Sequence, residues 1–123
     1  MKKLIILSFF LLMAAAMATA SSILKIQDVI GEWKYEVMTA PNGYQKGVIE
    51  ITENKSVLGG VVKFDSGNEA RLSEVIIDGD ILKIGLYVEY EYVTATIKLL
   101  DGKMEGTIDS SQGKMTFKAE KKQ

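Results

Sequence analysis

The sequence predicts an all-β domain, an eight-stranded antiparallel up-and-down meander barrel with a short N-terminal helical turn. From residue 31 onward, short runs rich in Val, Ile, Thr and Tyr are separated by Gly, Asn and Asp about every eight to twelve residues, which is typical of β-sandwiches and barrels. Connections of about two to five residues make neighbouring strands antiparallel hairpin partners. Eight such strands close most economically into a barrel, and an open β-sandwich is the alternative.

Alternating polarity sets the individual strands. Trp33, Tyr35 and Val37 alternate with charged residues, so the first strand has one apolar and one charged face. The other strands follow from β-rich runs bounded by turn residues. The predicted strands are residues 32–38, 44–52, 57–64, 69–77, two strands within 81–100, 103–109 and 114–119.

Turn residues set the connections between the strands. Asp78-Gly79-Asp80 and Asp101-Gly102 are strong two-residue hairpin signals. Residues 81–100 are too long for one strand of a small domain, so we place a reversal near residues 88–91. Gly59-Gly60 inside the third strand predicts a bulge or a sharp bend, which a sheet that closes on itself requires.

The N-terminal residues 1–20 have the three parts of a secretory signal peptide. Two lysines are followed by an apolar run, and small residues end the segment at Ala20. Cleavage after Ala20 leaves residues 21–123 as a single β-barrel domain. We therefore expect an exported protein, periplasmic or secreted, without a membrane span in the mature chain.

Ahead of the first strand, apolar residues recur at helical spacing. The spacing between positions 23 and 26 and between 26 and 29 is three residues, and that between 26 and 30 is four. This spacing of Ile23, Ile26, Val29 and Ile30 predicts a short amphipathic helical turn. We expect this turn to lie across one end of the barrel.

Composition excludes several classes of function. The chain has no Cys and no His, which excludes thiol nucleophiles, Ser-His-Asp triads, disulfides and His-containing metal sites. Without Lys2 and Lys3, 13 basic residues remain against 16 acidic ones, both scattered, so no basic face suits nucleic acid. Lys118, Lys121 and Lys122 are interpreted as a solvated tail. No phosphate loop, dinucleotide fingerprint or calcium loop is present, and we expect no enzyme activity, cofactor or metal.

The segment Ile30-Gly31-Glu32-Trp33, which follows a short helical stretch and opens a strand, resembles the G-x-W signature of the calycins, the superfamily of lipocalins and fatty-acid-binding proteins. Four further segments resemble the corresponding motifs of small exported bacterial lipocalin-like proteins. They are the turns Asp78-Gly79-Asp80 and Asp101-Gly102-Lys103, the pair Gly106-Thr107 and residues 113–117. The resemblance covers nearly all of residues 23–120. It implies that the Trp closes one end of the barrel beneath the entry helix.

Two departures from that superfamily limit what the resemblance implies about the ligand. Fatty-acid-binding proteins insert a helix pair where this chain has only residues 40–43, and they hold a carboxylate with arginines, whereas this chain has only Arg71. The fatty-acid site therefore does not carry over, because fold alone does not specify a ligand.

The leading functional hypothesis is a non-enzymatic exported binding protein that holds a small apolar or amphiphilic ligand in the barrel lumen. An eight-stranded barrel is either filled by side chains or wide enough for one small ligand. Strand parity predicts an inward set: Trp33, Tyr35, Val37, Ile49, Ile51, Val62, Phe64, Ile84, Leu86, Val93, Ala95, Ile97, Leu99, Met104, Ile108, Met115 and Phe117. From it we select as ligand-binding residues Trp33, Tyr35, Ile49, Phe64, Ile84, Leu86, Val93, Ile97 and Phe117.

The alternative hypothesis is an interaction module that binds a protein or a glycan on an outer, Tyr-rich sheet face. Tyr87, Tyr90 and Tyr92, with Tyr44 in their neighbourhood, are the one aromatic concentration outside the core. Tyrosines are favoured at recognition surfaces, but exposed strand positions also select them for β-propensity alone.

A carboxylate pair is the only arrangement that resembles an acid/base site. Glu89 and Glu91 share the parity of Val93, which would put them about 6 to 7 Å apart at a barrel rim, within the range of glycosidase pairs. The competing interpretation is that the chain reverses there and both side chains point to water. No catalytic residue is therefore assigned.

Overall fold

A computed structural model of the chain describes residues 23–122, which form a closed eight-stranded antiparallel barrel. Each strand pairs with the next, and the first strand pairs with the last. The predicted barrel is confirmed, and the open sandwich is wrong because this last pairing leaves no sheet edge. The predicted signal peptide, residues 1–20, lies outside the described residues. The elements are α1 Ile26–Val29, β1 Gly31–Glu36, β2 Lys46–Asn54, β3 Val57–Phe64, β4 Glu69–Asp78, β5 Ile81–Val88, β6 Glu91–Leu100, β7 Lys103–Ser110 and β8 Gly113–Lys121.

The reversal within residues 81–100 falls at Glu89 and Tyr90, as predicted. The β5–β6 ladder runs from Ile81↔Lys98 to Val88↔Glu91 without interruption. Glu89 and Tyr90 both have positive φ, 50° and 71°, which is the backbone of a tight hairpin turn that follows the twist of the strands. No Gly or Asn marks this turn, so strand length was the only signal for it.

The irregular strand is β4, not β3. The β2–β3 register is continuous along β3, so of the predicted bulge or sharp bend at Gly59-Gly60 the bulge is absent. A Cβ at Gly60 would lie 2.0 Å from the carbonyl oxygen of Glu50, so a glycine there permits a close approach of the strands. The register shifts instead between Leu72 and Glu74. This bulge brings Leu72 and Val75, three positions apart, into the same core.

The connection between β1 and β2 is longer than predicted and folds over one end of the barrel. β1 ends at Glu36 and β2 begins at Lys46. The side-chain amide of Gln45 donates to the carbonyl oxygens of Met38 and Ala40 at 3.2 and 3.1 Å. These hydrogen bonds hold the connection, residues 37–45, in a compact form.

The barrel has a closed end and an open end. The closed end carries α1 and the β2–β3, β4–β5 and β6–β7 turns, and the open end carries the other connections. All residues of the predicted inward set belong to the buried core or pack against it. Parity missed Leu72 and Val75 because of the bulge, and also Leu82 and Ala119. Among residues 23–122, no helix is long and apolar enough to cross a membrane.

Candidate ligand-binding site

Trp33 closes the barrel at the end that carries α1. Its indole Nε1–H donates to the carbonyl oxygen of Val29 in α1 at 2.9 Å, and its side chain is only 1% exposed. Gly31 enters the strand at φ 130°, a conformation that glycine adopts readily and other residues do not. Trp33 therefore lies beneath α1, as predicted.

Lys121 completes this closed end, contrary to the interpretation of the C-terminal lysines as a solvated tail. β8 extends to Lys121 and pairs it with Trp33. The Lys121 ammonium lies 4.8 Å from the centroid of the Trp33 ring and donates to the carbonyl oxygen of Ile30. Lys122 continues the contact, since its backbone N–H donates to the Glu32 carbonyl oxygen at 2.8 Å.

The open half of the barrel contains a cavity of about 220 Å³. Below it the interior is filled by side chains, since Trp33, Ile51, Leu82 and Met104 are at most 1% exposed. Eight of the nine predicted ligand-binding residues line the cavity: Tyr35, Ile49, Phe64, Ile84, Leu86, Val93, Ile97 and Phe117.

The ninth predicted residue, Trp33, does not line the cavity, so its assignment to the ligand site is corrected. It lies in the filled half, against α1 and Lys121. Parity identifies which face of a strand is inward but not the height at which a residue sits in the barrel. That height depends on how the strands are staggered on closure.

Other lining residues come from outside the predicted ligand-binding set. Val62, Ala95, Ile108 and Met115 were in the inward set and surround the lower cavity. The long β1–β2 connection also lines the cavity, and strand alternation cannot predict its residues because they lie outside the strands. These residues are Ala40, Pro41 and Tyr44. At the rim lie Val88, Glu89, Glu91, Ser110 and Gln112.

Tyr35 supports the wall of the cavity with its ring and its hydroxyl. The ring stacks on Phe117 with centroids 6.2 Å apart and lies across Gly47, where a Cβ would come within 2.8 Å of it. Its hydroxyl donates to the carbonyl oxygen of Tyr44 at 3.0 Å. Burial raises the pKa of Tyr35, and the negative charge of Asp65 raises it further. Tyr35 is therefore a neutral donor already engaged with the protein.

Tyr44 stands at the mouth of the cavity. Its ring meets Phe64 edge to face with centroids 4.8 Å apart. Partial burial and the neighbouring charge of Glu89 raise the pKa of Tyr44. The phenol is thus a neutral group with an apolar body, set between the lumen and solvent.

A side opening joins the mouth between β4 and β5. The ladder between these strands ends at Leu72↔Leu86, although both strands continue toward the open end. A depression of about 260 Å³ occupies the gap and is lined in part by Glu69 and Ala70. It shares Tyr44, Phe64, Val88 and Glu89 with the main cavity.

The two carboxylates of the candidate acid/base pair both lie at the cavity rim, and the chain reverses between them. Glu89 is exposed in the turn, whereas Glu91 is half-buried at the start of β6. The Glu91 carboxylate accepts a hydrogen bond from the backbone N–H of Ser111. Hydrogen bonding to Ser111 lowers the pKa of Glu91 and keeps it ionised.

The three tyrosines of the predicted surface patch meet at the β5–β6 hairpin. Tyr87 and Tyr92 are cross-strand partners with ring centroids 4.9 Å apart, and Tyr90 is fully exposed in the turn. The Tyr92 hydroxyl lies over Gly85, where a Cβ would come within 2.0 Å of it. Tyr92 therefore covers the backbone of a strand glycine.

No metal site is apparent in the described part of the chain. Residues 23–122 contain no group of three or more Asp, Glu, His or Cys side chains that could hold an ion.

Comparison with solved structures identifies similar barrels. The chain is similar to a single-substitution mutant of the fluorescent protein UnaG, with a TM-score of 0.57 and 11% identity over 80% of this chain and 99% of that one. It is also similar to wild-type UnaG, with a TM-score of 0.51 and 14% identity over 80% and 100%. No protein-family model and no curated protein matches the sequence. At these identities the likeness shows the fold alone, which is an eight-stranded antiparallel up-and-down barrel.

Proposed function

We propose that the chain is a non-enzymatic exported binding protein that holds one small apolar or amphiphilic molecule in the open half of its barrel. The observation that carries this proposal is the apolar cavity of about 220 Å³ between a filled floor and an open mouth. An engineered apolar cavity of about 150 Å³ binds benzene, whereas pockets for drug-sized molecules begin at about 300 Å³. The ligand is therefore small, such as one ring or a short alkyl chain with its polar end at the mouth.

Export is proposed from the sequence alone. The signal-peptide features of residues 1–20 support action in the periplasm or outside the cell. The absence of cysteine suits a bacterial exported protein better than a eukaryotic extracellular module. The intact mass of the protein recovered after expression with its own N-terminus tests this, and the expected mature chain begins at Ser21.

A series of straight-chain alcohols tests ligand binding. Each methylene that enters an apolar site contributes about 0.8 kcal/mol. The affinity measured by calorimetry should thus rise about fourfold per added carbon and level off once the lumen is full. Affinity that stays flat along the series would argue against an apolar lumen site.

A variant that fills the lumen provides the matched control for this series. Ala95 is buried and lines the cavity, whereas the next residue, Thr96, is exposed on the outer face of β6. Ala95→Phe should abolish alcohol binding while the barrel stays folded by circular dichroism. Thr96→Phe adds the same ring outside and should leave binding unchanged. Equal binding by both variants would place the alcohol elsewhere.

The second candidate function is binding of a protein or glycan at the Tyr-rich hairpin. The observation that favours it is the exposure of Tyr87 and Tyr90, 61% and 102%, beside Tyr92. Tyr87→Ala with Tyr90→Ala should abolish partner capture and leave the melting temperature almost unchanged. A parallel loss of stability would indicate that these rings serve the fold.

A further inference from the structure

The cavity that we propose as the ligand site has charge of one sign at its mouth. Among residues 23–122, the only charged residues that line it are Glu89 and Glu91, and no lysine or arginine of that part lines it. The single arginine of the sequence, Arg71, is exposed on β4. Any charged group of a ligand at the mouth would therefore face carboxylates alone.

Both carboxylates keep acceptor sites for a ligand, although the Glu89 side chain also hydrogen-bonds with the Tyr44 side chain. None of the three ion pairs among residues 23–122 involves Glu89 or Glu91. The backbone N–H of Ser111 donates to Oε2 of Glu91, and the Ser111 side chain also hydrogen-bonds with this carboxylate, which has further acceptor sites on its two oxygens. The nearby cation Lys114 is already paired with Asp109 at 3.0 Å, so it does not neutralise the rim glutamates directly.

The neutral donors at the site do not provide a place for an anion. The Tyr35 hydroxyl donates to the Tyr44 carbonyl oxygen, so it is not free to hold a ligand carboxylate. Tyr44 itself stands beside Glu89, whose charge raises the Tyr44 pKa. An acid head group would thus lie next to two like charges, and no cationic side chain of residues 23–122 lines the cavity to compensate them.

We propose, on the basis of the binding function above, that the ligand is a cationic amphiphile, an alkyl or aryl amine. Its apolar part fills the lumen between the walls of the open half. Its ammonium group lies at the mouth, where Glu89 and Glu91 accept its hydrogen bonds. The same charges weaken the binding of fatty acids and other anionic amphiphiles of equal chain length.

Three molecules with one alkyl chain and different heads test this preference. Octylamine, octanol and octanoate are titrated calorimetrically at neutral pH into the chain lacking residues 1–20, in low salt. Each solvent-exposed ion pair strengthens binding only modestly, by up to about fivefold. We therefore expect octylamine to bind about three- to tenfold more tightly than octanol, and octanoate more weakly than octanol. The advantage of octylamine should shrink as salt rises, because mobile ions screen exposed charges.

A double variant identifies the carboxylates responsible. Glu89→Gln with Glu91→Gln should reduce the affinity for octylamine to that for octanol in the same variant, and a Gln oxygen can still accept the hydrogen bond from Ser111. The control, Glu53→Gln with Glu105→Gln, makes the same change in net charge at exposed positions toward the closed end. The control should keep the preference. Circular dichroism and the melting curve verify that both proteins are folded.

The outcomes separate this inference from the proposed function. Binding of octanol together with equal or tighter binding of octanoate than of octylamine overturns the cationic preference and leaves lumen binding intact. A preference for octylamine that survives the rim variant also overturns it, because the charge would then act from elsewhere. Failure of all three molecules to bind overturns the preference and the lumen function together.

Discussion

The ammonium group of Lys121 lies 4.8 Å from the ring centroid of Trp33. A residue of the last strand, β8, therefore covers the indole of the first strand, β1. The same indole is fixed from the other side by its hydrogen bond to Val29. The two ends of the described chain thus meet on one side chain. This contact closes the barrel at the end opposite the proposed ligand mouth.

Truncation of Trp33 should be among the most destabilising changes in the domain. Trp33→Ala should lower the free energy of unfolding by about 3 to 5 kcal/mol, as for other buried large aromatics, measured by urea denaturation. Lys121→Met keeps most of the aliphatic stem and should cost about 1 to 2 kcal/mol, because it removes the cation–π contact and the hydrogen bond to the Ile30 carbonyl oxygen. A cost below about 1 kcal/mol for Trp33→Ala would contradict its role as the barrel floor.

Gly85 and Tyr92 should be energetically coupled. Gly85→Ala alone places a Cβ against the Tyr92 hydroxyl, so Tyr92 must leave its position and the melting temperature should fall. In the Tyr92→Ala background the same change meets no ring, and the loss should be much smaller. A double-mutant cycle measures the coupling. Strictly additive effects would show that Tyr92 does not pack on Gly85.

Tyr35 should make the domain sensitive to alkali. Burial raises the pKa of Tyr35 above that of the unfolded chain, so its contribution is complete below about pH 10 and is lost as pH rises further. Tyr35→Phe should cost about 0.5 to 1.5 kcal/mol at neutral pH through loss of its hydrogen bond. The difference from the native sequence should shrink above about pH 10. Exposed Tyr90→Phe is the control, and a pH-independent difference would contradict the assignment.

The contribution of Glu91 to stability should have the opposite pH dependence, because it is lost as the pH falls. Hydrogen bonding to Ser111 lowers the pKa of Glu91, so its contribution is present above the unfolded value of about 4.3 and is lost as pH falls through the folded value. Glu91→Gln should therefore be less stable than the native chain at neutral pH and equal to it in strong acid. A stability difference between the native chain and the Glu91→Gln variant that persists in strong acid would contradict this assignment. Thermal melts across the acid range measure this difference.

Local patterns in the sequence predict most of this fold. Two kinds of local pattern are sufficient for strand order and inward faces, because they depend only on neighbours in the chain. They are the alternation through Trp33, Tyr35 and Val37 and the glycine turns such as Asp78-Gly79. The reversal at Glu89 has no turn residue, and only the excessive length of residues 81–100 revealed it.

The features that sequence could not predict depend on contacts between distant strands. The shift at Leu72 changes parity within β4 because the partner strand sets it. Lys121 looks like part of a charged tail until β8 is placed beside β1. The connection that places Tyr44 over the cavity and the hydrogen bond between Ser111 and Glu91 form only when the loops are folded, so neither can be predicted from local sequence. The cavity-lining side chains were therefore largely predictable, while the height of Trp33 and the electrostatics of the rim were not.

The methionine methyl groups offer the most direct test of the central claim that the open half of the barrel holds an apolar ligand. Met115 lines the cavity, Met104 is 1% exposed in the filled half, and Met38 is 60% exposed outside. With methyl-labelled methionine and saturating octanol, we predict nuclear Overhauser contacts from the alkyl protons to the Met115 methyl and none to Met104 or Met38. Contacts to Met38 without contacts to Met115 would contradict a ligand in the lumen.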